Sequence, residues 1–181
     1  MKAEIKRRAV WTVLDIVLMA LLAAILMLQK ELMSFLPNIS LTVFLILLYA
    51  KCLGFGRTAV IVTVYLLLDS VLWASLNPIF TTAQWIGWML GPLLYCTAFK
   101  KTENNIVLAC AAALAALLYC WVMIVPTALI YTNQMESLGA YILVDIPWEL
   151  VLAISGFVPT LLLYEPLSKL MRKLLARMRQ L

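Results

Sequence analysis

Six apolar runs take up nearly all of this chain, and they decide which solvent it folds in. They cover about Ala9 to Leu28, Ile39 to Leu53, Thr58 to Ala74, Ala83 to Phe99, Asn105 to Pro126 and Ile146 to Tyr164. A membrane-spanning helix needs about 20 apolar residues, so six spans and their connections use up the 181 residues. Of these residues 65% are hydrophobic and 13% charged, against about 45–50% and about 25% in soluble domains. A soluble monomer does not leave that much apolar surface in water. In hydrocarbon, backbone polar groups must pair within the protein, which leaves helices or a closed barrel. Barrel strands alternate in polarity, and these runs do not. The expected fold is an all-α integral membrane protein, a single domain over 1–181 with six transmembrane helices. The second run is the shortest. Its roughly 15 residues reach about 22 Å at 1.5 Å per residue, so it should be sunk against its neighbours or met by local thinning of the bilayer.

Orientation follows from the cations, because cytoplasmic connections collect Lys and Arg. With the N-terminus inside, Lys2, Lys6, Arg7, Arg8, Lys51, Arg57, Lys100, Lys101, Lys169, Arg172, Lys173, Arg177 and Arg179 all fall on the cytoplasmic side. Of the 14 Lys and Arg residues only Lys30 falls outside. Both termini are therefore expected in the cytoplasm. The net charge of +5 then marks topology and not a nucleic-acid partner. The basic tail, Ser168 to Leu181, reads as a surface helix facing anionic headgroups. The basic start and first apolar run imitate a signal peptide. The run is too long for a typical h-region and no small-x-small site follows it, so it reads as a permanent helix.

Several chemistries are excluded by what the chain lacks. It has no histidine, which removes the commonest general base and metal ligand. Cys52, Cys96, Cys110 and Cys120 all lie in apolar runs without a C-x-x-C pair and read as inert buried thiols. The glycine turn Gly54-Phe55-Gly56-Arg57-Thr58 lacks the spacing of a phosphate-binding loop. No catalytic residue, metal site or intrinsic cofactor is expected. A small membrane enzyme using Asp69 or Glu149, or a structural protein without ligand, is the alternative.

Polarity collects at the outer connections. The first holds Gln29, Glu31, Pro37 and Asn38, the second Asn77 and Pro78, and the third, about Thr127 to Asp145, holds Asn133 and Glu136. Three polar loops over one mouth suggest a lid on an outward-facing pocket, since long loops are often functional. Trp85 and Trp88, three apart, are expected to share a face, with Gln84 beside Trp88. Asp145 and Glu149 are four apart, with Trp148 between them. Glu149 and Asp69 lie inside apolar runs, where an acid marks a functional site by default. On the first helix Ala20 and Ala24, with Ala23 between, offer a small-residue seam for another helix. The run Ala109 to Ala116 on the fifth reads as internal packing.

This layout resembles the S component, the substrate-binding membrane subunit, of an energy-coupling factor (ECF) vitamin transporter. The likeness spans nearly the whole chain and rests on Leu36-Pro37-Asn38-Ile39-Ser40-Leu41, on Asn77-Pro78-Ile79-Phe80 through Trp88-Met89-Leu90-Gly91-Pro92, and on a loose A-x-x-x-A element at Ala20 and Ala24. It implies a subunit that captures a micronutrient from outside, docks through Ala20 and Ala24 on a T component, and topples in the membrane while two separate ATPase subunits hydrolyse ATP. One outer lysine against Glu31, Asp69, Glu136, Asp145 and Glu149 disfavours an anionic vitamin. Gln29, Asn38, Asn77, Gln84 and Asn133 suit an amide-rich ligand, and the tryptophans a ring or cation. Leu36 to Leu41 most resembles the cobalamin-specific type. Thiamine, the queuosine precursor and riboflavin remain alternatives.

Overall fold

The structure, a computed structural model, describes residues 11–73, 77–131 and 135–178. Among these residues the chain forms six helices and no strand: α1 (Val13–Leu32), α2 (Thr42–Leu53), α3 (Phe55–Leu72), α4 (Pro78–Cys96), α5 (Asn105–Tyr131) and α6 (Met135–Met178). Four of the described helices have segments long and apolar enough to cross a membrane: Val13–Leu32, Phe55–Leu72, Asn105–Ala128 and Gly139–Met178. Together with the composition they make this an all-helical membrane protein.

Local chemistry sets the helix ends. Thr12 caps α1 in a reciprocal capping box with Asp15. Arg57 of α3 also reaches Asp15, at 2.8 Å, so this acid is held by the α3 cation. Gly54, at φ 82°, ends α2 in a conformation that a Cβ disfavours, and α3 follows at once. Asn77 and Pro78 open α4 as N-cap and first residue, the Asn77 side-chain Oδ1 accepting from Ile79 N at 3.1 Å.

Three elements depart from the expected layout. Helix α4 begins five residues before Ala83, because Asn77-Pro78 acts as a helix start and not as a loop. The third outer connection is not a long loop: α5 runs to Tyr131 and α6 resumes at Met135. The basic tail, as far as Met178, is no separate surface helix either. It continues α6, which runs unbroken for 44 residues through Pro147, Pro159 and Pro166. Prolines are tolerated in membrane helices because neighbouring groups re-satisfy the freed carbonyls.

Helix α2 is the hub. It touches all five other helices, and Val43, Phe44, Ile46, Leu47, Leu48, Tyr49 and Ala50 are buried. At 12 residues it is only about 18 Å long. A helix wrapped by protein need not match the bilayer, so its shortness costs nothing in mismatch. Around it, α5 packs along both α4 and α6, and α1 sits at the edge, chiefly on α3. Small residues permit the close approaches. Ala109, Ala111, Ala112, Ala115 and Ala116 are buried along α5. A Cβ on Gly87 of α4 would lie 2.8 Å from the Tyr119 ring of α5, and one on Gly156 of α6 would lie 2.8 Å from Val43 of α2.

The two ends of the bundle differ in charge. Lys51, Arg57, Lys100, Lys101, Lys169, Arg172, Lys173 and Arg177 gather at one end. There the Lys51 ammonium donates to the carbonyls of Phe99 (2.9 Å), Lys100 (3.0 Å) and Thr102 (2.8 Å), fastening the α4–α5 turn to the end of α2. Arg172 of α6 donates to both carboxylate oxygens of Glu103, at 3.0 and 3.1 Å. At the opposite end the described residues hold Lys30 alone among Lys and Arg.

Candidate functional site

A cavity of about 310 Å³ opens at that opposite end. Its walls come from the segment after α1 (Met33 to Ser40) and from α2, α3, α4, α5 and α6, through Thr42, Tyr65, Gln84, Trp88, Tyr119 and Leu152. Trp88 stacks on Tyr119 with ring centroids 4.1 Å apart and planes 27° from parallel. The approach is possible because Gly87, its neighbour, offers no side chain toward Tyr119. The Trp88 indole N–H is buried and finds no acceptor among the described residues. The polar lining is hydroxyls and amides: Ser34, Asn38, Ser40, Thr42, Tyr65, Gln84 and Tyr119.

One charge reaches this cavity, and it is compensated. Lys30 lines the mouth and pairs directly with Asp69 of α3. The Asp69 side chain is 7% exposed and that of Lys30 is 34% exposed. A buried carboxylate is tolerable when paired and hydrogen-bonded, so Asp69 holds the lysine in position and leaves no net charge at the wall.

Of the residues singled out from sequence, Asn38, Gln84 and Trp88 border the cavity. Asn38 adopts φ 57°, which asparagine tolerates better than most residues. Its amide donates to the Trp148 carbonyl at 3.3 Å, bringing the first outer connection onto α6. Gln29 stands behind the wall, with its oxygen accepting from Leu41 N at 2.9 Å and its nitrogen donating to Thr42 Oγ1 at 2.6 Å and Leu26 O at 3.1 Å. Glu31 accepts from the Trp73 indole at 3.0 Å. Asn77 is occupied as the α4 cap.

Trp85 does not share the face of Trp88. It is 43% exposed and donates to Thr63 of α3 at 2.9 Å, while Trp88 is 8% exposed. Three residues turn a helix 60° short of a full revolution, enough to put one ring in the cavity wall and the other outside. Asp145, Trp148 and Glu149 lie on α6 beyond the cavity lining, with Glu149 buried and the Trp148 ring exposed. Asn133 lies outside the described residues. Ala20 and Ala24 lie on the outer surface of α1 while Ala23 turns inward.

Sequence reasoning passed over Tyr65, Tyr119, Ser40 and Thr42. Tyr65 was recoverable, since it precedes Asp69 by one helical turn and so shares its face. Tyr119 had only an indirect signal, the Gly87-x-x-x-Gly91 spacing that invites another helix onto α4. The site thus belongs to a helical membrane protein with a charge-balanced, aromatic-floored cavity at its less basic end. Comparison with protein-family models, curated proteins and solved structures gives no match for the chain.

Proposed function

We propose that the chain is the S component of an ECF-type importer, a six-span protein of a bacterial plasma membrane with both ends in the cytoplasm. It captures a micronutrient in the outer cavity and presents it, by toppling, to a T component and two ATPase subunits. The observation that carries the reading is the cavity itself. It lies at the end away from the Lys and Arg cluster, as a positive-inside orientation requires of an outward-facing site. Its volume is at the lower edge of the roughly 300–1,000 Å³ usual for ligand pockets, and its lining mixes aromatic rings with amides and hydroxyls.

The Lys30–Asp69 pair favours a neutral ligand, because neither charge is free to meet an ionic group. Cobalamin, the ligand suggested by Leu36 to Leu41, is neutral and amide-rich but needs the outer segments to part. A smaller neutral ring such as riboflavin is closer in size to the cavity of about 310 Å³. Thiamine and the queuosine precursor bring a cation that this wall does not balance.

Native mass spectrometry of the purified protein with cobalamin, riboflavin, thiamine, the queuosine precursor, pantothenate, biotin and folate tests the reading. One neutral adduct surviving at nanomolar ligand is expected. An anionic adduct would overturn the charge argument. Absence of any adduct would sink the S-component reading in favour of a structural membrane protein.

A further inference from the structure

A second hollow lies against the back of the cavity wall. It is a groove of about 430 Å³ on the outside of the bundle, between the segment after α1 and α6. On α6 it is formed by Val151, Ile154, Ser155 and Val158, which recur every three or four residues along one face, with Pro159 beside them. Met33, Ile39 and Ser40 line both the groove and the cavity. Residues 33–41 therefore form a partition one segment thick, with hydroxyls and amides on one side and hydrocarbon on the other. Beyond its flanking helices, one long hydrogen bond ties the partition to α6, Asn38 Nδ2 to Trp148 O at 3.3 Å, and Ser155 Oγ lies 3.5 Å from Asn38 O beside it.

The groove has no charged lining residue. The Ser155 hydroxyl donates within its own helix, to Leu152 O at 2.8 Å. Ile154 and Val158 are exposed and lie in a candidate membrane span, so the surrounding solvent is lipid. A transmembrane helix, about 10 Å across, would fit little more than one turn into this volume. An extended alkyl chain is slender enough to fill it.

We propose that the groove is a binding site for one acyl chain of a membrane lipid, and that the bound chain supports the 33–41 partition from behind. Without it, Met33 and Ile39 would lose packing partners on that side, and an unfilled apolar gap forfeits those contacts outright. A chain that binds the closed arrangement stabilises it, and the coupling to a ligand in the cavity is reciprocal. The inference is independent of which vitamin, if any, the cavity takes.

The test uses the full chain in nanodiscs containing phosphatidylcholine with a photoactivatable diazirine in the acyl chain, followed by peptide mapping. Adducts on residues 33–41 and 151–159 are expected several-fold above those on the exposed face of α1 at Val13, Val17 and Leu21. Ile154→Trp and Val158→Trp fill the groove from exposed positions and so spare the core. Each should reduce groove labelling to the α1 level and leave α1 labelling unchanged, and amide hydrogen exchange across 33–41 of the native chain should be faster in a short-chain detergent that leaves the groove unfilled than in the nanodisc. Equal labelling of groove and α1 in the native chain, or enrichment that persists in both variants, would mean ordinary annular lipid and overturn the site. Equal exchange across 33–41 in the nanodisc and in the short-chain detergent would overturn the support of the partition.

Discussion

Gln29 illustrates how far one side chain can reach in this fold. It is 8% exposed, and its amide joins α1 to the opening of α2 through Leu41 N and Thr42 Oγ1. A buried N–H at a helix start needs such an acceptor, and Leu41 provides no side-chain cap of its own. Gln29→Leu removes both interhelical bonds at nearly constant volume. Interhelical hydrogen bonds in membranes average about 0.6 kcal/mol and reach about 1.7, so a loss of about 1–2 kcal/mol is expected. A lower unfolding midpoint in a thiol-dye thermal assay in detergent is the readout, and an unchanged midpoint would show that another group caps Leu41. At this scale the sequence marks polar residues near one mouth but not their partners. Gln29, Glu31 and Asn77 look as available as Gln84 until the structure shows a clamp, an indole acceptor and a helix cap.

At the scale of elements, packing depends on places where a side chain is missing. Gly156 lets α6 meet α2 and α5: an added Cβ would stand 2.8 Å from Val43 Cγ1 and 3.5 Å from the Ala112 carbonyl. Val43 is 2% exposed on the central helix and has little room to yield. Gly156→Leu should cost about 1–3 kcal/mol or more by overpacking, with loss of monodispersity on size exclusion as the sensitive measure. Gly139→Leu, at a glycine with open space around it, is the matched control. The existence of the helices was legible, because a long apolar run has little other option in lipid. Their ends were less so. Asn133, Gln134, Glu136 and Gly139 read as a loop by composition, yet α6 already begins at Met135. The sixth run was expected to end at about Tyr164, with a separate basic helix from Ser168, yet α6 continues to Met178. Along α6 itself, from Glu136 onward, polarity reflects the medium the helix enters and not an end of the helix.

For the molecule as a whole, the notable asymmetry is the isolation of α1. It rests mainly on α3, and Ala20, Leu21, Ala24 and Leu28 face outward. The alanines of α5 are used up inside the bundle, so the α1 pair is the small-residue seam left on the surface of these two helices. Under the transporter proposal, Ala20→Trp with Ala24→Trp should abolish co-purification with the T component and ATPase subunits. Ligand binding should stay within about twofold, because a partner interface is lost while the cavity wall is untouched. A complex that forms normally would move the docking seam elsewhere. The charge difference between the two ends was also legible, since cations sort by side. The cavity was not, because Tyr119 and Leu152 reach it only through helix pairings that no single stretch of sequence encodes.

The unbroken α6 has a mechanical consequence. Its 44 residues make a rod about 66 Å long, so a swing of about 5° around its midpoint would carry each end some 3 Å. Its far half meets the partition beside the cavity through Trp148 and Ser155, and its near half is anchored by Arg172 to Glu103. Each of its three internal prolines removes one rung of the hydrogen-bond ladder and makes the rod easier to bend there. A push on the basic end therefore arrives at the mouth of the cavity after passing two of these joints, Pro166 and Pro159, as leverage with built-in give.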